Sequence, residues 1–136
     1  LGVTWLRAFS DVFIAVNGAG NLVVWGAEDN EASSRDKWQN ASQELKGAPI
    51  QAVATKGAVA LLQGDGSVLA WGDEDYGGKL PDKWKEALSK DVREICSNGE
   101  AFAAVTSDGS ILSWGSEECG GGEAFMQAGV CHLFST

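Results

Sequence analysis

Hydrophobic and polar positions form nearly the same pattern at three places along the chain. Each copy consists of two short apolar runs that are joined by a glycine-containing turn and closed by Trp-Gly. The copies are VFIAVNGAGNLVVWG (12–26), VALLQGDGSVLAWG (59–72) and AFAAVTSDGSILSWG (101–115). Runs of β-forming residues on either side of Asp-Gly or a similar turn predict an antiparallel β-hairpin in each copy.

The hairpins recur at a nearly constant spacing, and each follows a further strand-like segment. Successive hairpin tryptophans are separated by 46 and 43 residues, a period that indicates a propeller or solenoid. We therefore predict a single domain over 1–136 that consists of successive repeats. The repeats span about 3–49, 50–91 and 92–129, and a partial fourth repeat covers 130–136. The segments that open them are VTWLRAF (3–9), IQAVATK (50–56), VREICSN (92–98) and VCHLFST (130–136).

The predicted strands are apolar on both faces. In the third copy, Ala103 and Val105 alternate with Phe102 and Ala104. Strands buried on both faces occur where sheets stack on one another, as the blades of a propeller do. The predicted fold is mainly β, an incomplete β-propeller of three antiparallel blades plus an extra strand. The tryptophan of each hairpin recurs with the fold, so all three are expected in the core.

The linkers between the repeats predict short helices. Trp38 and Trp84 each lie thirteen residues beyond a hairpin tryptophan. In the second linker, Pro81 and Asp82 favour a helix start, and Trp84 shares a face with the apolar residues that follow. We expect one short amphipathic helix per linker, packed on the sheet through Trp38 and Trp84. An exposed tryptophan on either helix would instead serve as an anchor for a partner protein.

The repeats resemble those of the regulator of chromosome condensation (RCC1-like) family. The family pattern is roughly V-x-x-I-A-x-G-x-x-H-S-x-A-L-T-x-D-G-x-V-Y-x-W-G, and the segment 92–115 is similar to it. The likeness covers essentially the whole chain in three successive repeats, and the helix-bearing linker resembles a repeat variant common in algal and protist members. The matching positions in the third repeat are Val92, Ile95, Ala104, Val105, Thr106, Asp108, Gly109, Trp114 and Gly115.

The repeats also depart from the family pattern. Asn98 and Ala101 stand where the family has Gly-x-x-His, and Ala19 replaces the hairpin aspartate in the first repeat. The family typically closes seven blades into a ring, whereas this sequence supplies three blades and a strand. The resemblance therefore implies an open arc that is stabilised by further blades, by oligomerisation or by a partner protein.

The composition narrows the class of partner. Of the 136 residues, 44% are hydrophobic, 18 are glycine and two are proline, which is typical of a globular fold with many tight turns. The formal net charge of −9 argues against nucleic acid as a direct partner. No apolar run approaches the roughly 20 residues needed to cross a bilayer, so no transmembrane segment is predicted.

An acidic cluster follows every Trp-Gly and is the leading candidate for a partner-binding surface. Because it recurs with the repeat, its carboxylates are expected along one rim of the arc, where they would attract a basic protein surface. Acidic loop tips that serve only solubility are the alternative. The candidate partner-binding residues are these carboxylates and the two linker tryptophans: Glu28, Asp29, Glu31, Asp73, Glu74, Asp75, Glu117, Glu118, Trp38 and Trp84.

The sequence shows no catalytic or metal-binding pattern. Cys96, Cys119 and Cys131 lack Cys-x-x-Cys spacing, which favours free thiols in a reducing compartment such as the cytosol or an organelle interior. His132 adjoins Cys131 on a predicted strand, so their side chains point to opposite faces and do not form a catalytic pair. No spacing matches a zinc finger, a calcium loop or a phosphate loop. We therefore expect no catalytic residues, no metal and no cofactor.

Two functional hypotheses follow. The first is a non-catalytic protein-binding or scaffold module, an accessory subunit of a larger complex, whose open strand edges accept a strand from another chain. The algal type of repeat implies, by analogy, that this complex is membrane-associated and photosynthetic. The alternative, implied by the family, is a regulatory module that promotes nucleotide exchange on a small GTPase.

Overall fold

Three antiparallel sheets follow one another along the chain in the computed structural model, which describes residues 2–9 and 11–117. Each sheet has three strands in chain order, and we call the sheets blade 1, blade 2 and blade 3. The predicted mainly β arc of three blades is confirmed, whereas the extra strand predicted at 130–136 lies outside the described residues. The strands are β1 (Val3–Ala8), β2 (Val12–Asn17) and β3 (Leu22–Gly26) in blade 1, β4 (Gln51–Ala54), β5 (Ala58–Leu62) and β6 (Val68–Gly72) in blade 2, and β7 (Val92–Ser97), β8 (Ala101–Thr106) and β9 (Ile111–Gly115) in blade 3.

The hairpin of each blade turns at a glycine in the same backbone conformation. Gly20, Gly66 and Gly109 have φ angles of 84°, 86° and 85°. These angles lie in the left-handed region, where a Cβ atom is penalised and glycine is favoured. The glycine five residues before each hairpin tryptophan is therefore required by the turn itself.

An aspartate stabilises the turns of blades 2 and 3. Asp65 Oδ1 accepts hydrogen bonds from the Ser67 backbone N–H at 3.0 Å and the Ser67 hydroxyl at 2.6 Å, and Asp65 Oδ2 lies 2.6 Å from Lys46 Nζ. The hydrogen bond from Lys46 has the largest effect on the pKa of Asp65, and the bonds from Ser67 add to it. Together they hold this pKa well below its ordinary value. In blade 3 the Thr106 hydroxyl is the main donor to Asp108, and the pKa of that carboxyl is lowered as well.

The first linker contains the predicted helix. A 3-10 turn at Glu31–Ser33 leads into α1 (Arg35–Ser42), and Trp38 packs against the core between blades 1 and 2. The Lys37 side chain reaches across from α1 and donates a hydrogen bond of 2.9 Å to the carbonyl of Gly72 at the end of β6. The helix therefore spans the outer edges of two neighbouring blades.

The second linker differs from the prediction, because it forms 3-10 turns at Glu74–Tyr76, Asp82–Trp84 and Ala87–Ser89 instead of an α-helix. A helical segment this short has little stability of its own, so its tertiary contacts decide its conformation. Leu88 is fully buried and Trp84 packs against the core, so the predicted apolar face is kept while the hydrogen bonds tighten to i→i+3.

The hydrophobic core lies between the blades rather than within any one of them. One cluster joins the inner residues of blades 1 and 2, and a second joins those of blades 2 and 3. The five residues of β5 (Ala58–Leu62) are buried on both faces, because this strand is the centre of the middle blade. The order of the blades along the chain therefore sets the order of the packed layers.

Candidate protein-binding surface

The alternation of side chains gives each blade two faces, one of which carries the hairpin tryptophan. In blade 1 the strand register places Phe13 opposite Trp25, and Ala15 opposite both Leu6 and Val23. Residues opposite one another across a sheet share a face, so these five side chains form what we call the Trp face. The equivalent residues of the later blades are Ala52, Val59, Leu61, Leu69 and Trp71 in blade 2, and Ile95, Phe102, Ala104, Leu112 and Trp114 in blade 3.

The opposite face of each blade carries small and branched aliphatic residues, and we call it the aliphatic face. The Trp face of blade 2 packs on the aliphatic face of blade 1, and the Trp face of blade 3 packs on that of blade 2. The same kind of interface is therefore used twice. The aliphatic residues are Val12, Ile14, Val16, Leu22 and Val24 in blade 1, and Ala58, Ala60, Leu62, Val68 and Ala70 in blade 2.

Each buried hairpin tryptophan also donates a hydrogen bond to the linker of the preceding blade. Trp71 Nε1 donates to the carbonyl of Ala32 at 2.8 Å, and Trp114 Nε1 donates to the carbonyl of Gly77 at 3.1 Å. Both acceptors lie at a 3-10 turn in the linker that leads into the first strand of the tryptophan's own blade. The indole N–H is thus satisfied where burial would otherwise leave it unpaired.

The Trp face of blade 1 is exposed, and the expectation that all three hairpin tryptophans are buried is wrong for Trp25. Trp25 is 47% exposed, compared with 3% for Trp71 and 1% for Trp114. Leu6 and Phe13 are 52% and 44% exposed, and Val23 is 42% exposed. The physical reason is that, within the described part of the chain, no blade lies against this face.

The exposed face is ordered by its own aromatic pair. The rings of Phe13 and Trp25 stack with their centroids 5.4 Å apart and their planes inclined by 15°. The buried pair in blade 3, Phe102 and Trp114, has almost the same separation of 5.3 Å. Blade 1 therefore presents to solvent an aromatic pair with nearly the spacing that blade 3 buries.

The acidic residues lie where β3, β6 and β9 end, at the same end of all three blades. Six of these carboxylates are exposed, and their role in binding a partner stays a prediction. Glu118 lies outside the described residues. The exposed carboxylates are Glu28, Asp29, Glu31, Glu74, Asp75 and Glu117.

Two of the acidic candidates have structural contacts. Glu31 forms an ion pair of 2.7 Å with Lys37, which also bonds to blade 2. Asp73 is half-buried, and its carboxylate accepts a hydrogen bond of 2.9 Å from the backbone N–H of Asp75 at the start of a 3-10 turn. Asn30 caps the equivalent turn of the first linker through Ala32 N–H at 2.9 Å.

The two linker tryptophans are half-buried and pack against the blades. Trp38 contacts the core between blades 1 and 2. Trp84 contacts the second core cluster and donates a hydrogen bond of 3.2 Å from Nε1 to the carbonyl of Ser113 on β9. The structure thus assigns both side chains contacts with the sheets, and their role as partner anchors stays a prediction.

The groups considered for chemistry are dispersed or lie outside the described residues. Burial, followed by the nearby Glu94, raises the pKa of the Cys96 thiol. Cys119, Cys131 and His132 lie in the part of the chain that the structure does not describe. Within residues 2–9 and 11–117, no three potential metal ligands come together, and no helix is long and apolar enough to cross a bilayer.

The residues that the sequence reasoning missed are Leu6, Phe13, Val23 and Trp25. The Trp faces of blades 2 and 3 are each covered by the blade one repeat earlier, and no described blade precedes blade 1. The position of a repeat in the series is therefore the signal in the sequence that distinguishes Trp25 from Trp71 and Trp114.

The arrangement of blades is similar to that of solved propeller structures. Yeast RCC1 (Prp20), solved with Kap60 bound, is 21% identical over 96% of this chain and 35% of its own, with a TM-score of 0.54. Human WBSCR16 is 24% identical over 83% and 34%, with a TM-score of 0.50. The CRINKLY WD40 ectodomain of the Arabidopsis thaliana receptor kinase ACR4 is 19% identical over 83% and 38%, with a TM-score of 0.51.

The sequence identities and the coverage of these matches support a conclusion about the fold only. The chain spans about a third of the length of the structures that it matches. No protein-family model and no curated protein matches it. At these identities the likeness shows the fold alone. The resemblance that the repeats predict is thus confirmed at that level: the described residues form an open arc of three blades with the RCC1-like propeller fold.

Proposed function

We propose that this chain is a non-catalytic protein-binding module that acts as a scaffold or accessory subunit of a larger assembly. The observation that carries the proposal is the exposed Trp face of blade 1. Its large side chains are between 42% and 52% exposed, although the equivalent residues of blades 2 and 3 are packed in the core. A contiguous apolar patch of this kind on a protein surface typically marks a site of interaction.

The composition of the face suits protein binding. Tryptophan and other aromatic residues contribute most of the binding energy at many protein interfaces. The stacked rings of Phe13 and Trp25 are already held in one arrangement, so docking costs little additional side-chain entropy. A partner that covers these rings therefore gains apolar burial on a prepared surface.

The acidic rim supports the same role in a different way. The exposed carboxylates lie at one end of the blades, and the chain carries a net charge of −9. Such a field raises the rate at which a basic surface associates, and salt screens it. In this proposal the Trp face provides most of the binding affinity, and the acidic rim increases the rate of association.

The test compares two variants of the immobilised chain in capturing partners from a native extract. Val23→Asp places a charge on the Trp face, two residues from Trp25 on strand β3, at a half-exposed position, so the fold is retained, as circular dichroism will show. The rim variant Glu28→Gln/Asp29→Asn keeps the apolar face intact. We expect Val23→Asp to abolish capture and the rim variant to slow association in a salt-dependent manner. Equal capture by Val23→Asp and the unmodified chain would overturn the proposal.

The fold likeness to yeast Prp20 favours a second candidate function. Prp20p of Saccharomyces cerevisiae was solved in a study of its binding to Gsp1p and histones. The regulatory alternative, which the family resemblance implies, is nucleotide exchange on a small GTPase by this chain as a fragment of a longer propeller. It is tested by the release of labelled GDP from a panel of purified small GTPases. Acceleration by substoichiometric amounts of this chain would rank exchange above the scaffold role.

A further inference from the structure

We propose that the outer edge of β6 in blade 2 binds one extended, basic peptide segment of a partner protein, which pairs with β6 as an added strand. We call the outward backbone groups of Val68 and Ala70 the β6 edge. This edge is separate from the Trp face of blade 1, so the inference goes beyond the function proposed above. It rests on unpaired backbone groups, on the cavities beside them and on the surrounding charges.

The hydrogen bonds of blade 2 show which backbone groups of β6 point outward. Where the β5–β6 hairpin turns, the Gln63 N–H donates to the carbonyl of Ser67 at 2.8 Å. Along an antiparallel pair, residues that bond to the partner strand alternate with residues whose N–H and C=O groups point away from it. Ser67 bonds to the partner strand, so the residues of β6 that point away from β5 are Val68, Ala70 and Gly72.

Only one end of this row of groups is covered by another described part of the chain. Lys37 Nζ of α1 donates a hydrogen bond of 2.9 Å to the carbonyl of Gly72, which agrees with the outward direction of that group. Within residues 2–9 and 11–117, the outward N–H and C=O groups of Val68 and Ala70 form no hydrogen bond. Unpaired groups of this kind on a strand edge are a template for pairing with another chain.

The equivalent edges of blades 1 and 3 are covered at these positions by side chains of the linkers. The N–H of Leu22, which corresponds to Val68, donates to the Ser42 hydroxyl at 3.1 Å. The carbonyl of Ser113, which corresponds to Ala70, accepts from Trp84 Nε1 at 3.2 Å. Blade 2 is therefore the blade in which both positions lack such a bond among the described residues.

Two neighbouring cavities lie along the β6 edge. The first has a volume of about 330 Å³ and lies between α1 and residues 78–80, with all of β6 in its wall. The second has a volume of about 660 Å³ and lies between the end of the first linker and the second linker. Both are lined by Val68, Leu69 and Leu80, so they are parts of one groove along β6. Their volumes lie in the range typical of ligand sites.

The backbone groups and the groove together favour an extended chain as the occupant. Outward residues of a strand recur about 7 Å apart, and another strand presents its N–H and C=O groups at the same repeat. An α-helix pairs these groups internally and has none to offer along its length. Leu45, Leu80 and Leu88 line the second cavity, where they accommodate an apolar side chain of the added strand.

The charges around the groove favour a basic segment. Three of the four lysines that line it form ion pairs with carboxylates of the chain, namely Lys37, Lys46 and Lys85. Glu44 and Glu74 also line the groove, and neither carboxylate forms an ion pair within the described residues. Lysine or arginine in the occupant complements these two carboxylates and the net charge of −9.

The first experiment selects a phage-displayed library of random heptapeptides on the immobilised full chain. Ala70→Pro serves for counter-selection, because proline removes an outward N–H and fills the edge without removing a bond to β5. Val24→Pro is the matched control, since Val24 has the equivalent outward position in β3. Circular dichroism and urea midpoints show whether the variants fold.

We expect the enriched peptides to be rich in β-branched and basic residues. Their affinity for Ala70→Pro should be lower by about tenfold or more, because a backbone hydrogen bond is lost and the edge is blocked. Their affinity for Val24→Pro should be unchanged. The proposal is overturned if no peptide is enriched, or if the enriched peptides bind Ala70→Pro as well as the unmodified chain.

Amide hydrogen exchange of the unmodified chain, followed by NMR, tests the docking without relying on a proline variant. In the free chain, the N–H groups of Val68 and Ala70 should exchange faster than those of Leu69 and Trp71, which bond to β5. An enriched peptide at about 100 times its Kd should slow the exchange of both outward groups about 100-fold. Unchanged exchange at Ala70 would place the peptide elsewhere and overturn the proposal. Slower exchange as the free chain is concentrated would also overturn it, since a second copy would then be the occupant.

Glu44→Lys tests the basic character of the segment. We expect the enriched peptides to bind this variant about two- to fivefold more weakly, as is typical of one exposed ion pair. Glu28→Lys makes the same charge change on the rim of blade 1 and should leave their affinity unchanged. Equal binding to Glu44→Lys and the unmodified chain would overturn the assignment of a basic occupant.

Val23→Asp separates this inference from the proposed function. Because it changes only the Trp face, peptide binding at the β6 edge should be unaffected while capture of partners from the extract is lost. If Val23→Asp leaves capture unchanged and Ala70→Pro still abolishes peptide binding, the role proposed for the Trp face falls and the β6 edge stands. If capture depends on Val23→Asp and no peptide protects Ala70, the Trp face stands and the present inference falls.

Discussion

Blades 1 and 3 carry the same aromatic pair at the same place in the repeat, and they differ in what covers it. Phe13 and Trp25 are 44% and 47% exposed, whereas Phe102 and Trp114 are each 1% exposed. The ring separations differ by only 0.1 Å, from 5.4 Å to 5.3 Å. The side chains are therefore placed by their own hairpin, while their burial depends on the neighbouring blade.

This difference shows that the neighbouring blade, and not the hairpin, decides whether these side chains are buried. Each repeat buries its faces against its neighbours, so equivalent side chains are core in blades 2 and 3 and exposed in blade 1, against which no described blade packs. The most sensitive tests are consequently pairs of equivalent substitutions, one in blade 1 and one in a later blade.

The largest difference is expected for truncation of the hairpin tryptophans. Trp114→Ala removes a fully buried side chain and its hydrogen bond to Gly77, so we expect the free energy of unfolding to fall by about 3–5 kcal/mol. Trp25→Ala loses mainly the stacking contact with Phe13, so we expect a loss of about 1 kcal/mol or less. Urea denaturation followed by far-ultraviolet circular dichroism measures both, and equal losses would contradict the comparison.

A smaller difference is expected at the hairpin glycines. Gly20 and Gly66 have φ angles of 84° and 86°, but a Cβ at Gly66 would lie 2.3 Å from the carbonyl oxygen of Lys90, whereas a Cβ at Gly20 meets no atom within 4 Å. We expect Gly20→Ala to cost about 1–2 kcal/mol from backbone strain alone. We expect Gly66→Ala to cost about 2–4 kcal/mol, because the end of the second linker must also shift. Thermal denaturation of the two variants at matched concentration decides this, and an equal cost would show that the linker yields freely.

Much of this fold could be predicted from the sequence, because its determinants are local. The Gly20, Gly66 and Gly109 turns and the strands on either side of them follow from residue type and spacing, and all three hairpins form as predicted. The second linker could not be predicted in detail. Its turns at Asp82–Trp84 and Ala87–Ser89 are fixed by tertiary contacts that a helical pattern does not contain.

The candidate surface could be predicted only in part, for a related reason. The positions of the acidic residues follow from the repeat, since they come directly after strands that all end on one side. Whether Trp25 is exposed depends on whether another blade covers it, and the sequence of its own hairpin does not contain this information. The similarity between the repeats therefore predicts the position of Trp25 in its hairpin correctly, whereas the burial that it predicts for this side chain is wrong.

A smaller difference in the free energy of unfolding is expected when only the indole N–H is removed, by Trp71→Phe in blade 2 and by Trp25→Phe in blade 1. Trp71→Phe keeps most of the buried apolar surface and removes the hydrogen bond to the carbonyl of Ala32, so we expect a loss of about 1–2 kcal/mol from an unpaired buried acceptor. Among the described residues, Trp25 donates no equivalent bond to a linker, so we expect Trp25→Phe to change the free energy of unfolding by no more than about 0.5 kcal/mol. Urea midpoints at neutral pH measure both, and a similar loss at Trp25 would show that its N–H already has a structural role.

The smallest difference is expected in the acid dependence of the hairpin turns. Asp108 in blade 3 has a lowered pKa, chiefly because the Thr106 hydroxyl donates to its carboxylate. In blade 1 that position is Ala19, and the Asn17 side chain accepts from the N–H groups of Ala19 and Asn21 at 2.9 Å and 3.0 Å. Asn17 does not titrate, so the turn of blade 1 keeps its bonds in acid.

Because the folded pKa of Asp108 lies below the unfolded value, its contribution is complete above the ordinary pKa of 3.8 and is lost as the pH falls through the folded value. Asp108→Asn should therefore reduce the fall in urea midpoint between about pH 5 and pH 3. Asn17→Asp should increase that fall, since it gives blade 1 a carboxylate that accepts from the same two N–H groups. An unchanged acid profile in both variants would mean that the carboxylates stabilise neither turn. A change in Asn17→Asp alone would mean that the Thr106 hydroxyl maintains the turn of blade 3 without Asp108.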